Sequence, residues 1–190
     1  MNRRELLTYL GIFPATYLAS RLPALTLPAA KSTSPTPSSG ILSGFKDLDA
    51  FTGGFYPGEL TVLAGRPSMG KTACALNIVR NTAMVQKRRI AYFSIEMGKE
   101  QIMARLLALE SGLRLSDIRV GKIESTDWSR LIKAATDLSN SQISIDDDYA
   151  ICPTDLFEKC RKLNEQGGLD LVVVDYLQLM RLRRKATSRR

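Results

Sequence analysis

Two glycines five residues apart, the second followed by Lys-Thr, constrain this chain more than any other feature: GRPSMGKT, residues 65–72. The spacing fits G-x-x-x-x-G-K-[ST]. An apolar run, ELTVLAG (59–65), precedes it and reads as a buried strand. The run KTACALNIVRNTAMVQ (71–86) follows, with Leu76, Val79 and Ala83 on one helical face. A backbone that wraps an anion must bend sharply and keep side chains out of the way, which Gly65 and Gly70 allow. Arg66, Pro67, Ser68 and Met69 supply the backbone between them. The helix opening near Lys71 aims its positive dipole end at the same anion. Lys71 adds a point charge within reach of β and γ phosphates, and Thr72 a hydroxyl for Mg²⁺. The pattern predicts a nucleoside triphosphate site; a chance glycine turn before a helix is the plain alternative.

The remaining pattern alternates strands and helices. RIAYFSIE (89–96), QISIDDD (142–148) and LDLVVVD (169–175) read as strands. KEQIMARLLALESG (99–112) reads as a helix aligning Ile102, Leu106 and Leu109 and stopped by Gly112. STDWSRLIKAATDLSN (125–140) reads as another, capped by Ser125 or Thr126. PTDLFEKCRKLNEQGG (153–168) opens on proline and closes on glycine, as helices do. The unbroken apolar run before Asp175 suits a parallel strand covered on both faces. The fold class expected is α/β, a largely parallel sheet flanked by helices.

Carboxylates at strand ends are the next candidates, because α/β sheets bind ligands there. Asp175 ends LVVVD and would hold Mg²⁺ through water; as a plain strand-ending acid it would only cap a helix. Glu96 ends the strand that follows the glycine-loop helix, where a carboxylate can orient and deprotonate an attacking water. The plain reading is a surface glutamate. Asp146 and Asp147 also end a strand, and the solvated, turn-capping role suits them better.

Composition excludes several classes. There is no histidine, so histidine-based catalysis and histidine metal sites are out. Cys74, Cys152 and Cys160 fit no metal or redox spacing and read as reduced thiols. The net charge is +8, but RLRRKATSRR (181–190) holds six basic side chains and no acid. The body is nearly balanced, and the basic tail is the part suited to nucleic-acid phosphates. Residues 1–40 differ in kind: a twin arginine, an apolar run, then KSTSPTPSSG, which cannot build a core. An export signal, an organelle transit peptide and a leader without targeting role all stay open for it. Prolines and Arg21 interrupt its apolar run, so no stable membrane span is expected.

RPSMGKT, FSIEM and VVDYLQLM, with SGFKDLDAFTGGFYPGEL, ALNI, ESG, DW and IDD, together resemble the motor domain of the DnaB-type replicative DNA helicases, a RecA-like P-loop ATPase. The resemblance covers residues 41–180; ILSGF stands where proline-threonine-glycine is more usual, and Ile95 where leucine is. It implies ATP and Mg²⁺ as cofactors, bound through residues 65–72. Lys71 and Glu96 would be catalytic, and Thr72 and Asp175 would hold the metal. It implies single-stranded DNA and other helicase subunits, six to a ring, as partners, and a cytoplasmic location. The family carries a helical domain where this chain has residues 1–40. Its motor also runs past DYLQLM into a polar sensor strand, DNA loops and a basic finger that reaches the neighbour's ATP. The expectation is therefore a shortened motor, incomplete at the C-terminus, that binds ATP with negligible turnover alone. A non-catalytic module that joins a helicase ring is the alternative. Another RecA-like ATPase is a third reading, against which RPSMGKT with DYLQLM argues.

Overall fold

The computed structural model describes residues 12–14 and 40–181; the rest of the leader and the tail from 182 onward lie outside the described residues. The chain divides into two compact units, Met1–Ile78 and Val79–Arg190.

In the first unit a single carboxylate ties the turn before α1 (Lys46–Thr52). Asp49 accepts hydrogen bonds from the Ser43 N–H (2.7 Å), the Ser43 hydroxyl (2.6 Å) and the Gly44 N–H (3.0 Å). The helix ends at Gly53, left-handed at φ 74°. Ile41 and Phe55 then exchange backbone hydrogen bonds of 2.8 Å in both directions. That approach needs glycine, since a Cβ on Gly54 would lie 2.7 Å from the Ile41 carbonyl oxygen. Asp49→Ala would remove the carboxylate that accepts from the Ser43 N–H, and Ser43 is almost fully buried. The expected loss is about 1.5 kcal/mol, the scale of a hydrogen bond to a charged group. Urea denaturation and amide exchange at Ser43 measure it; unchanged exchange would refute the role.

β2 (Thr61–Leu63) leads into the glycine loop and pairs antiparallel with β1 (Ile12–Pro14). It was expected as a buried strand, but Thr61 is exposed and Val62 and Leu63 are half-buried. A two-stranded ribbon has too little neighbouring surface to bury both faces. α2 (Lys71–Met84) follows and buries Leu76, Val79 and Ala83, as its periodicity predicts.

The second unit is built on a parallel sheet of β3 (Ile90–Ser94), β4 (Ile143–Asp146) and β5 (Leu171–Asp175), in the order β4-β3-β5. β3 is central, and all five of its residues are buried. Ala91 and Phe93 form a core with Ile95 and Ile151 on one face. Leu156, Cys160 and Leu163 of α6 (Pro153–Gly167) pack against it. Val174 of β5 lies on the same face. β5 was expected to be covered on both faces, yet Val172 is 39% exposed. Among the described residues β5 pairs only with β3, so it is an edge strand.

α3 (Lys99–Ser111) buries Ile102 and Leu106, leaves Leu109 half-buried, and stops at Gly112 with φ 69°. α4 (Leu115–Val120) is short and was not foreseen. α5 (Trp128–Ser139) starts one to two residues later than expected. Asp127 holds the cap position with helical dihedrals and no capping bond, because its carboxylate pairs with Arg130 at 3.1 Å. Among the described residues no helix is long and apolar enough to cross a membrane.

Candidate functional site

The residues singled out from the sequence fall into two sets. The first is the loop between β2 and α2. Its residues Ala64 to Gly70 are all exposed. Gly70 sits at φ 83°, which an L side chain rarely adopts, and Ser68 also takes a positive φ of 63°. A Cβ on Gly65 would meet Lys71 Cγ at 3.5 Å, an ordinary contact. Protein packing therefore does not demand glycine at 65, and its exposure leaves room for an anion to approach the backbone. Lys71 Nζ donates to the carbonyls of Gly65 (3.1 Å) and Arg66 (3.4 Å), which curls its positive charge over the loop. The Met69 N–H donates to Arg66 (3.3 Å), tightening the turn, while the Met69 side chain stands in solvent. α2 begins at Lys71, so the N–H groups of its first turn face the loop end rather than a carbonyl of the helix. Thr72 lies in that turn, half-buried. An exposed loop, a curled lysine, a hydroxyl and a helix start make a donor set that fits a phosphate chain and its Mg²⁺.

The second set gathers at the carboxyl ends of the parallel strands. Register pairs Ser94 with Asp175, and the Ile95 N–H donates to the Asp175 carbonyl at 2.8 Å. Glu96 comes next on the chain and is exposed. The Ser94 hydroxyl donates to the Met97 carbonyl at 2.7 Å and fixes the turn that carries Glu96. Asp175 is 8% exposed. Its Oδ2 accepts a hydrogen bond from the Tyr92 hydroxyl at 2.9 Å.

Tyr92 is the residue the sequence did not single out. It occurs in an apolar strand, where an aromatic ring reads as core, and no short motif marks it. Burial first, then the charge and hydrogen bond of Asp175, push its hydroxyl pKa far above the ordinary phenol range; the Arg105 charge opposes this. The hydroxyl is thus held protonated, as a donor. Arg105 itself has a buried Nε without a hydrogen-bond partner among the described residues.

The acids at the end of β4 take structural roles, as their sequence context suggested. Asp147 accepts the Lys99 N–H at the start of α3 (3.0 Å). Lys159 pairs with Asp146 (2.7 Å) and Asp148 (3.2 Å). The Ala150 N–H, and then Lys159, hold Asp148 below the usual carboxylate range. Among the described residues no cluster of three or more metal-type side chains occurs. The three cysteines are free thiols. Burial raises the pKa of Cys74, and burial followed by the Asp146 charge raises that of Cys160, which makes both poor nucleophiles.

Comparison with known proteins agrees with this geometry. The replicative DNA helicase DnaB of Geobacillus stearothermophilus is 43% identical over 141 residues, 74% of this chain and 31% of the helicase. The Nostoc DnaB is 46% identical over 143 residues, 74% of this chain and 16% of its own length. The chain thus spans a third or less of these relatives. A solved DnaB-like replicative helicase, described with its interactions with primase, superposes with a TM-score of 0.69 at 31% identity. The match covers 80% of this chain and 36% of that one. The ATPase domain of the protein G40P superposes at 0.67 with 26% identity, covering 99% of this chain and 61% of that domain. The α/β, RecA-like fold expected from the sequence is the fold observed. Residues 40–190 match the DnaB-like helicase C-terminal domain, and the chain belongs to that family.

Proposed function

We propose that the chain is the ATP-binding motor of a replicative DNA helicase. The observation that carries this reading is the glycine loop with Lys71 curled over the Gly65 and Arg66 carbonyls at a helix start, in a chain of this family. Residues 65–72 form the Walker A loop around the phosphates, and Lys71 meets the β and γ phosphates. Thr72 and Asp175 hold Mg²⁺, which neutralises charge on the phosphate oxygens. Glu96 orients the attacking water and takes its proton. The transition-state charge needs one more cation. Supplied from a neighbouring subunit, such a group is worth about 10³–10⁵ in rate, so a chain acting alone has negligible turnover. The partners are helicase subunits in a ring of six and single-stranded DNA in the cytoplasm. Residues 181–190 are suited to DNA phosphates without base readout.

Phosphate release, measured against chain concentration with saturating single-stranded DNA, tests the reading. A rate per chain that climbs with concentration and with DNA supports a motor acting between subunits. Nucleotide binding without release at any concentration supports the alternative, a non-catalytic module of a helicase ring. Absence of Mg-ATP binding overturns both.

A further inference from the structure

We infer that Tyr92 is a positioning residue for Asp175: its hydroxyl fixes the plane of the carboxylate that holds the metal. The inference rests on the proposed metal-holding role of Asp175 and adds a residue to it. Its basis is register. β3 and β5 run parallel with Tyr92 opposite Val173 and Ser94 opposite Asp175. Side chains two residues apart on a strand share a face. Tyr92 and Asp175 are therefore diagonal neighbours on one face, at a separation only a long side chain bridges. The tyrosine does so, with 2.9 Å between its hydroxyl and Oδ2.

The surroundings make this bond count. Tyr92 is 0% exposed and Asp175 8%. In such a site water competes little for the carboxylate, and a donor on one oxygen sets how the group is rotated. The tyrosine has no such freedom, because its ring is locked in the central strand of the sheet. The rigid element thus orients the edge element. Carboxylates that ligate metals are commonly held by such an outer partner, and losing it costs about 10–100-fold in metal affinity or activity. Tyr92 touches neither phosphate nor water in this scheme, so it acts through Asp175 alone.

Tyr92→Phe deletes the donor and keeps the ring. The test titrates Mg²⁺ into the 190-residue chain with a fluorescent ATP analogue, starting in EDTA, for the parent, Tyr92→Phe and Asp175→Asn. The expected result is about ten-fold more Mg²⁺ needed by Tyr92→Phe, with the affinity for metal-free nucleotide unchanged. A purely structural tyrosine would shift both affinities or neither. Loss of Mg²⁺ dependence in Asp175→Asn, with Tyr92→Phe equal to the parent, overturns the positioning role and leaves the metal role of Asp175 standing. Unchanged Mg²⁺ dependence in Asp175→Asn overturns the metal role and this inference with it. A second measurement avoids the core substitution: with 3-fluorotyrosine incorporated, one ¹⁹F resonance should move when Mg²⁺ joins bound nucleotide, and stay still in Asp175→Asn. No moving resonance in the parent likewise overturns the inference.

Discussion

Glu96→Gln should lower ATP hydrolysis by about 10²–10⁴, the usual worth of a positioned general base, and leave Mg-ATP affinity within about two-fold. The geometry separates the two effects. The backbone just before Glu96 is tied to β5 through the bond from the Ile95 N–H to the Asp175 carbonyl. The turn just after it is tied by the Ser94 hydroxyl. The side chain between these anchors is exposed, so it is aimed but unengaged by the core. Glutamine has the same length and can still accept a hydrogen bond from water, but it cannot take the proton. Phosphate release with single-stranded DNA, at the chain concentration where the parent is fastest, gives the rate; nucleotide titration gives the affinity. Where the parent releases phosphate measurably, an unchanged rate in the variant would remove Glu96 from the chemistry. A rate lost together with affinity would make it a binding residue instead.

Lys71→Ala should weaken ATP binding roughly ten- to hundred-fold, which corresponds to the ~1.5–3 kcal/mol of a hydrogen bond to a charged group. In the structure the ammonium bridges two loop carbonyls, so it also braces the loop shape that wraps the phosphates. Alanine removes the charge and the brace together. Alanine is a strong helix former and α2 begins at this residue, so the helix itself should persist. Titration of a fluorescent ATP analogue measures the loss, with circular dichroism as the check on fold. Equal affinity in parent and variant would refute the assignment of the loop.

The loop was legible because its requirements are local. Gly70 must take a positive φ, and the strand before and helix after are written in adjacent residues. Asp175 was legible for a similar reason, since an acid after a run of valines has to end a strand. Helices with a clear stop signal were also placed well, as Gly112 shows for α3. What stayed hidden depends on pairing. Nothing adjacent to Tyr92 tells that Asp175 will stand diagonally across a parallel pair, because the two are joined only by register. The exposure of Val172 was hidden likewise: an apolar strand reads the same at an edge as in the middle. α4 was missed because its six residues carry too little periodicity to register. The α5 cap was misjudged because Asp127 spends its carboxylate on Arg130.

The strand order also sets a timetable for biosynthesis. β3 lies in the middle of its sheet, yet it is made before both of its neighbours. Its last residue leaves the peptidyl-transfer centre about 80 residues before Asp175 does, which at about 5–20 residues per second is roughly 4–16 s. For about the first 50 of those residues the most buried strand of the unit has neither flank to pair with, and until the last it lacks β5. Its burial waits on contacts far apart in sequence, the kind that form slowly. The nascent chain therefore keeps apolar surface unpaired over that window, and its yield should depend on elongation rate more than on the stability of the finished fold.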